Sequence, residues 1–212
     1  MKVLSRRTDR PIDTPLWATL LWNAYPPHPL GLALQFAKPS TRSVMAACRD
    51  CVRRFNRLPD DIYHDLGSEH GGLTFDLMKA EYRVNYLNRA AGNARFGADI
   101  EAHIGSFKNM VREYSGSFKR IPRRGGSASH SPEARTKWYW DEFDSDFRTL
   151  VFEDWPEMEH DGIATLPGEL FRKSLADQGD RSSRFIAYDE TFMVLTMPIV
   201  KAAAAIHPTR GI

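Results

Sequence analysis

The chain has 212 residues, enough for one good-sized domain or for a domain with an appendage. An apolar fraction of 42%, with 11% aromatic residues, supports a real core and excludes a chain disordered throughout. A net charge of +2 excludes a surface that coats a polyanion all round, but the charge is unevenly spread. Lys108, Arg112, Lys119, Arg120, Arg123, Arg124, Arg135 and Lys137 face only Glu113 and Glu133 in the same stretch, and the balance turns acidic from Asp141 to Asp161. Such a block points to one segment that meets a polyanion.

The opening run Met1-Lys2-Val3-Leu4-Ser5-Arg6-Arg7 has no apolar stretch behind it of the kind a secretory signal carries. The strongest late apolar run, Phe192 to Ile206, is broken by Pro198 and Lys201. The expectation is a soluble, cytoplasmic protein with no membrane partner.

Residues 1–15 are polar, contain Pro11 and Pro15, and read as a loop or hairpin connection. Leu16 to Ala24 is the first full strand; Pro26, Pro27 and Pro29 force a turn, and Leu30 to Phe36 returns as a second strand. Gly31 and Ala33 are small enough to let a neighbouring element come close. Pro39-Ser40-Thr41 stops that strand and supplies a helix cap. Val44, Cys48, Val52 and Phe55 then make an amphipathic stripe, with Arg42, Arg49, Arg53 and Arg54 on what reads as a solvated face.

Cys48 and Cys51 form a C-x-x-C in mid-helix. A zinc site needs about four ligands and no second pair has matching spacing. A redox motif belongs where a strand turns into a helix. The pair therefore reads as packed thiols in a reducing compartment.

Asn56 to Pro59 ends the helix, and Asp61 to Asp65 is the next strand, with Gly67 turning the backbone after it. Leu73 to Tyr82 reads as a helix and Arg83 to Leu87 as a short strand. After the Gly92-Asn93-Ala94-Arg95 loop comes a helix whose buried stripe is Ile100, Ile104, Phe107 and Val111. Glu101 stands at the margin of that stripe, about 100° round from Ile100. Gly116 to His130 reads as a flexible basic loop, Trp138 to Phe152 and Leu166 to Ala176 as helices, and Phe185 to Met197 as an extended segment.

Thirty-five residues separate Asp65, at a strand end, from Glu101, in the first turn of a helix. Two such carboxylates converging in space hold hard divalent cations, and a pair of those ions clamps the attacking and leaving oxygens of a phosphodiester. Spacing alone is a weak signal among 27 acidic residues, and the alternatives are a strand-end Asp capping its turn and a Glu favoured at a helix start.

The flanks are more specific. Arg57-Leu58-Pro59-Asp60-Asp61-Ile62-Tyr63-His64-Asp65-Leu66-Gly67-Ser68-Glu69 resembles the RLP-x-x-I-x-x-D-x-G-x-E segment of integrase-type DDE transposases. Gly92 to Glu101, with Arg95-Phe96-Gly97 and Ile100-Glu101, resembles their G-x-x-RFG-x-x-IE segment. Ala18 to Tyr25 and Leu30-Gly31 look like the family's second and third strands. Pro167-Gly168-Glu169-Leu170-Phe171 and Ile186-Ala187-Tyr188-Asp189-Glu190-Thr191-Phe192 look like its P-x-E-x-F and I-x-YDE-x-F stretches. The likeness is collinear over nearly the whole chain and is nearest the Mu-like branch, which includes the large strand-transferring subunits of heteromeric bacterial transposons.

The resemblance implies an α/β fold of the RNase H-like, retroviral-integrase type: a mixed sheet flanked by helices, its first strand largely missing, with a helical C-terminal extension. It divides the chain into a catalytic core over 1–115, a basic linker over 116–137, and a C-terminal helical part over 138–212 that leads towards a β-barrel. It implies Asp65 and Glu101 as catalytic residues and ligands of Mg2+ or Mn2+ in a two-metal site. DNA is the implied partner, contacted by Lys108, Arg112, Lys119, Arg120, Arg123 and Arg124, within a homo-oligomeric transpososome that accessory transposition proteins join. The implied location is the bacterial cytoplasm, on the nucleoid when DNA is bound.

Three departures accompany the likeness. The family's first Asp is expected a few residues before Met1, since Val3-Leu4 align with the tail of its strand; Asp9 and Asp13 fall in the loop that follows. Asn23, Pro26 and Pro27 replace the family's DAYSR pattern, and the chain stops at Ile212, where the barrel is expected. Two functional readings result: a core whose parent cleaves DNA ends and transfers strands, and an inactive remnant that binds DNA or intact transposase. A sheet lacking its middle strand predicts exposed edges and marginal stability.

Overall fold

The computed structural model describes residues 2–64, 73–88, 102, 105, 107, 136, 138–160, 163, 165–177 and 185–197. Of the two forms expected for the first fifteen residues, the described part takes the hairpin. Strands β1 (Leu4–Ser5) and β2 (Arg10–Pro11) form a short antiparallel ladder with Leu4 opposite Pro11. Proline is tolerated because the ladder is only two residues long and each strand is an edge. Leu4 also forms a parallel bridge with Tyr139, its N–H donating to the Trp138 carbonyl at 2.8 Å.

Strands β3 (Trp17–Asn23) and β4 (His28–Gln35) form the antiparallel hairpin that organises the described core, with Leu20 opposite Leu32 and Leu21 opposite Gly31. The period of two sends their side chains to opposite faces. Leu20, Trp22, Leu32 and Leu34 pack with Phe107, Val151 and Trp155 on one face. Leu21, Leu30 and Ala33 pack on the other against Met45, Cys48, Cys51 and Val52 of helix α1 (Thr41–Phe55).

Helix α1 begins at Ser40, whose N–H donates to Ser43 Oγ at 3.1 Å. It ends at Asn56, which adopts a left-handed conformation (φ 51°, ψ 32°) and returns its N–H to the Val52 carbonyl at 2.8 Å. Gly31 is what allows the close approach of α1 to β4. A Cβ there would run into the Ala47 carbonyl oxygen and lie 3.0 Å from the Cys51 nitrogen.

Next come β5 (Asp61–His64), α2 (Leu73–Tyr82) and β6 (Asn85–Asn88), a β-α-β unit whose strands pair in parallel, Asp61 with Asn85 through His64 with Asn88. Ile62, Phe75, Met78 and Val84 join the cluster on α1. Among the described residues the two ladders, β3–β4 and β5–β6, are separate sheets that share this helix layer.

The C-terminal part supplies the other layer. Helix α3 (Trp140–Thr149) runs on through a π-helical turn (Leu150–Asp154) into a 3-10 turn (Trp155–Glu157). Phe143 and Leu150 cover Val3 and Leu16, while Val151 and Trp155 cover the hairpin. Helix α4 (Pro167–Asp177) places Phe171 in the α1 cluster.

The extended segment expected over Phe185 to Met197 is in part a helix, α5 (Glu190–Leu195). Its apparent alternation came from Ile186 and Phe192, which are buried in the same cluster but from different local structures. The helix is capped by Asp189, whose carboxylate accepts the Phe192 N–H at 2.9 Å. The result is a mixed α/β architecture with short strands, flanking helices and a first strand of only two residues. No helix among the described residues is long and apolar enough to cross a membrane.

Candidate functional site

The candidate ligands Asp65 and Glu101 lie outside the described residues, as do Lys108, Arg112, Lys119, Arg120, Arg123 and Arg124. What the structure gives is the frame on both sides of them. Strand β5 ends at His64, one residue before Asp65, and is fixed by its parallel register with β6 and by the burial of Ile62. The Asp61 carboxylate accepts a hydrogen bond from Asn85 Nδ2 at 2.9 Å, which ties the start of β5 to the start of β6.

Six residues beyond Glu101, Phe107 is buried, as the stripe expected for its helix requires. Its ring meets those of Trp22 and Trp155, each with centroids 5.7 Å away. Phe107 is thereby packed on the hairpin, on the face opposite α1. Ile100, Ile104 and Val111 lie outside the described residues.

Several of the described acidic side chains have structural partners. Arg6 binds Asp141 and Glu142 at 2.8 Å each, and Arg172 binds Glu157 at 3.0 Å. Asp144 binds Arg148 at 3.1 Å. Asp9, considered as a stand-in for the family's first Asp, accepts a hydrogen bond from the Tyr139 hydroxyl. Among the described residues, no group of three His, Cys, Asp or Glu side chains is arranged to hold a metal ion.

The face of α1 that reads as solvated is more engaged than its charge suggests. Arg42 and Arg53 are exposed, but Arg49 is half-buried and donates to the Thr196 carbonyl, which fixes the end of α5. Arg53, Arg54 and Arg148 converge on Asp50, and the Arg54 guanidinium lies 3.5 Å from the Phe152 ring centroid.

Asp50 is the residue that pattern reading passes over. It is buried, and its Oδ2 accepts the Leu32 N–H of β4 at 3.0 Å. The signal was a second buried stripe, Ser43, Ala47 and Asp50 at i, i+4 and i+7, beside the expected one.

Cys48 and Cys51 are buried free thiols. Burial raises the Cys48 thiol to about 11, and burial with the nearby Cys48 and Asp50 pushes Cys51 up further. Cys48 lies 3.7 Å from the Tyr86 hydroxyl, and Cys51 donates to the Arg57 carbonyl at 3.3 Å. These are packing groups at neutral pH. No protein-family model and no curated protein matches the sequence.

Proposed function

We propose that the chain is core material of a DDE-type polynucleotidyl transferase with an RNase H-like fold, whose parent cleaves DNA ends and joins them to a target. The observation that carries this reading is the order of elements: an antiparallel hairpin, a helix, then a parallel strand-helix-strand unit whose first strand ends one residue before Asp65. In the sequence, the transposase-like segment around Asp65 follows directly on β5 and the one around Glu101 comes after β6. The separation of the β3–β4 and β5–β6 ladders fits a sheet in which a further strand belongs between them.

Asp65 and Glu101 would hold Mg2+ or Mn2+, since carboxylate oxygens are hard donors suited to these ions. The metal, when bound, would activate the attacking oxygen and neutralise charge on the phosphate. The chain's own part would be to present the two carboxylates, Asp65 just after β5 and Glu101 six residues before the buried Phe107. Lys108, Arg112, Lys119, Arg120, Arg123 and Arg124 would neutralise the DNA backbone, giving a binding constant that falls steeply with salt.

A second reading, an inactive remnant that binds DNA or an intact transposase, draws support from Asp9. Its carboxylate is held by Tyr139, which leaves it poorly placed to replace the family's first Asp.

One experiment separates the two readings. The 212-residue chain, and a version extended through any in-frame codons upstream of Met1, are given a pre-cut transposon-end oligonucleotide with Mg2+ or Mn2+. The transferase reading expects joining by the extended protein only, lost in Asp65→Ala and Glu101→Ala. Salt-sensitive DNA binding without joining in either form supports the remnant. Joining by the 212-residue chain that survives Asp65→Ala overturns both.

A further inference from the structure

His28 opens β4 and is buried among three elements. Its imidazole stacks on Phe171 of α4, with ring centroids 4.0 Å apart and planes 9° from parallel. Phe55 of α1 meets the His28 ring edge-on at 6.3 Å and the Phe171 ring edge-on at 5.9 Å. This three-ring cluster joins the hairpin, α1 and α4. The Nδ1 atom of His28 is buried and has no hydrogen-bond partner among the described residues.

That geometry accepts only one protonation state. A neutral imidazole can leave Nδ1 as a bare lone pair, whereas an imidazolium carries an N–H on both nitrogens. Protonation would therefore bury a donor with nothing to receive it, together with a charge. We infer that the docking of α4 onto the hairpin is a proton-sensitive latch, closed while His28 is neutral and released as it becomes charged.

The charged groups facing the ring do not reverse this. Arg172 of α4 opposes protonation, and Glu157 of the 3-10 turn favours it. The two are paired with each other at 3.0 Å, and both are half-exposed, so water screens them. From α1 the facing group is Phe55. A face-on Phe171 would attract a cation, but desolvation is the largest effect and lowers the His28 pKa from 6.5 to about 4.

The sign follows from proton counting. Released, His28 takes up a proton near its ordinary value; docked, it does so only near 4. Between those values the open form binds more protons, so opening is favoured as pH falls. The limit is about tenfold per pH unit inside that window.

Hydrogen exchange on the full chain between pH 6.5 and 4.5, corrected for intrinsic rates, tests the latch. The α4 amides are expected to open more as pH falls, approaching about tenfold per unit, while those of β3 and α1 change much less. In His28→Phe, which keeps the stack, the α4 slope should vanish. The same slope in that variant, or a uniform loss of protection along the chain, overturns the latch. Should His28→Phe not fold, the His28 Cε1–H resonance of the native chain decides: a midpoint below about 5 supports the latch, and one near 6.5 overturns it.

Discussion

The Asp50 carboxylate accepts the backbone N–H of Leu32 at 3.0 Å, so a helix side chain closes the outer edge of strand β4. An open edge is a template for mispairing. Here the acceptor comes from α1, and Arg148 of α3 reaches the same carboxylate at 3.4 Å from the opposite layer. One buried side chain thus joins the hairpin to both helix layers.

Replacing it should be costly. Asp50→Ala leaves the Leu32 N–H without its acceptor and three guanidinium groups without their shared anion. We expect a loss of about 3–5 kcal/mol, read as a fall in Tm on the order of 10 °C. Asp50→Asn keeps an acceptor oxygen and should cost less than Asp50→Ala, while Arg53→Ala, at an exposed partner, should cost under about 1 kcal/mol. Equal Tm values for Asp50→Ala and Arg53→Ala would mean that the edge contact contributes nothing.

Gly31 and Gly168 offer a matched pair. At Gly31 an added methyl meets helix backbone, which cannot move without shifting α1. At Gly168 it meets Glu157 Oε1 at 2.7 Å and Arg172 Nη1 at 3.2 Å, the ends of two flexible side chains, though the Pro156 carbonyl oxygen is also close at 3.1 Å. Gly31→Ala is expected to destabilise by about 3 kcal/mol and Gly168→Ala by less than half of that, measured by chemical denaturation. A larger loss at Gly168 would contradict the packing described.

The thiols should be silent in the native chain. With Cys48 raised to about 11 and Cys51 beyond it, a thiol-specific chromogenic disulfide at pH 8 is expected to modify neither until denaturant is added. Rapid modification of one thiol per chain under native conditions would show that α1 lifts from the sheet.

If Asp65 and Glu101 hold a divalent cation, Mn2+ at ten times its dissociation constant should stabilise the chain by about 1.4 kcal/mol, a rise in Tm of a few degrees. Asp65→Ala and Glu101→Gln should each abolish that rise. An unchanged rise in both variants would place the ion elsewhere.

Replacing Phe107 tests the anchor beyond Glu101. Phe107→Ala removes a buried ring set against Trp22 and Trp155, and should cost about 3–4 kcal/mol. A cost under about 1 kcal/mol, by the same denaturation measurement, would show that the segment is not held there.

The sequence alone determined the hairpin, the span of α1, the strand, helix and strand between residues 61 and 88, and helices expected over 138–152 and 166–176, because each carries a local signal. Prolines bound the hairpin, Ser40 and Asn56 bound α1, and apolar residues recur at the period of a strand or a helix. The Asp65 and Glu101 motifs are local patterns too, written in consecutive residues. Tertiary structure decided what depends on residues far apart in the chain. That Asp50 would turn inward follows from β4 having an edge for it to close, 18 residues away. That His28 would be stripped of water follows from Phe171 arriving on its face. Local pattern sets which residues can be buried; only the packing of distant elements sets which polar groups go in with them and who satisfies them.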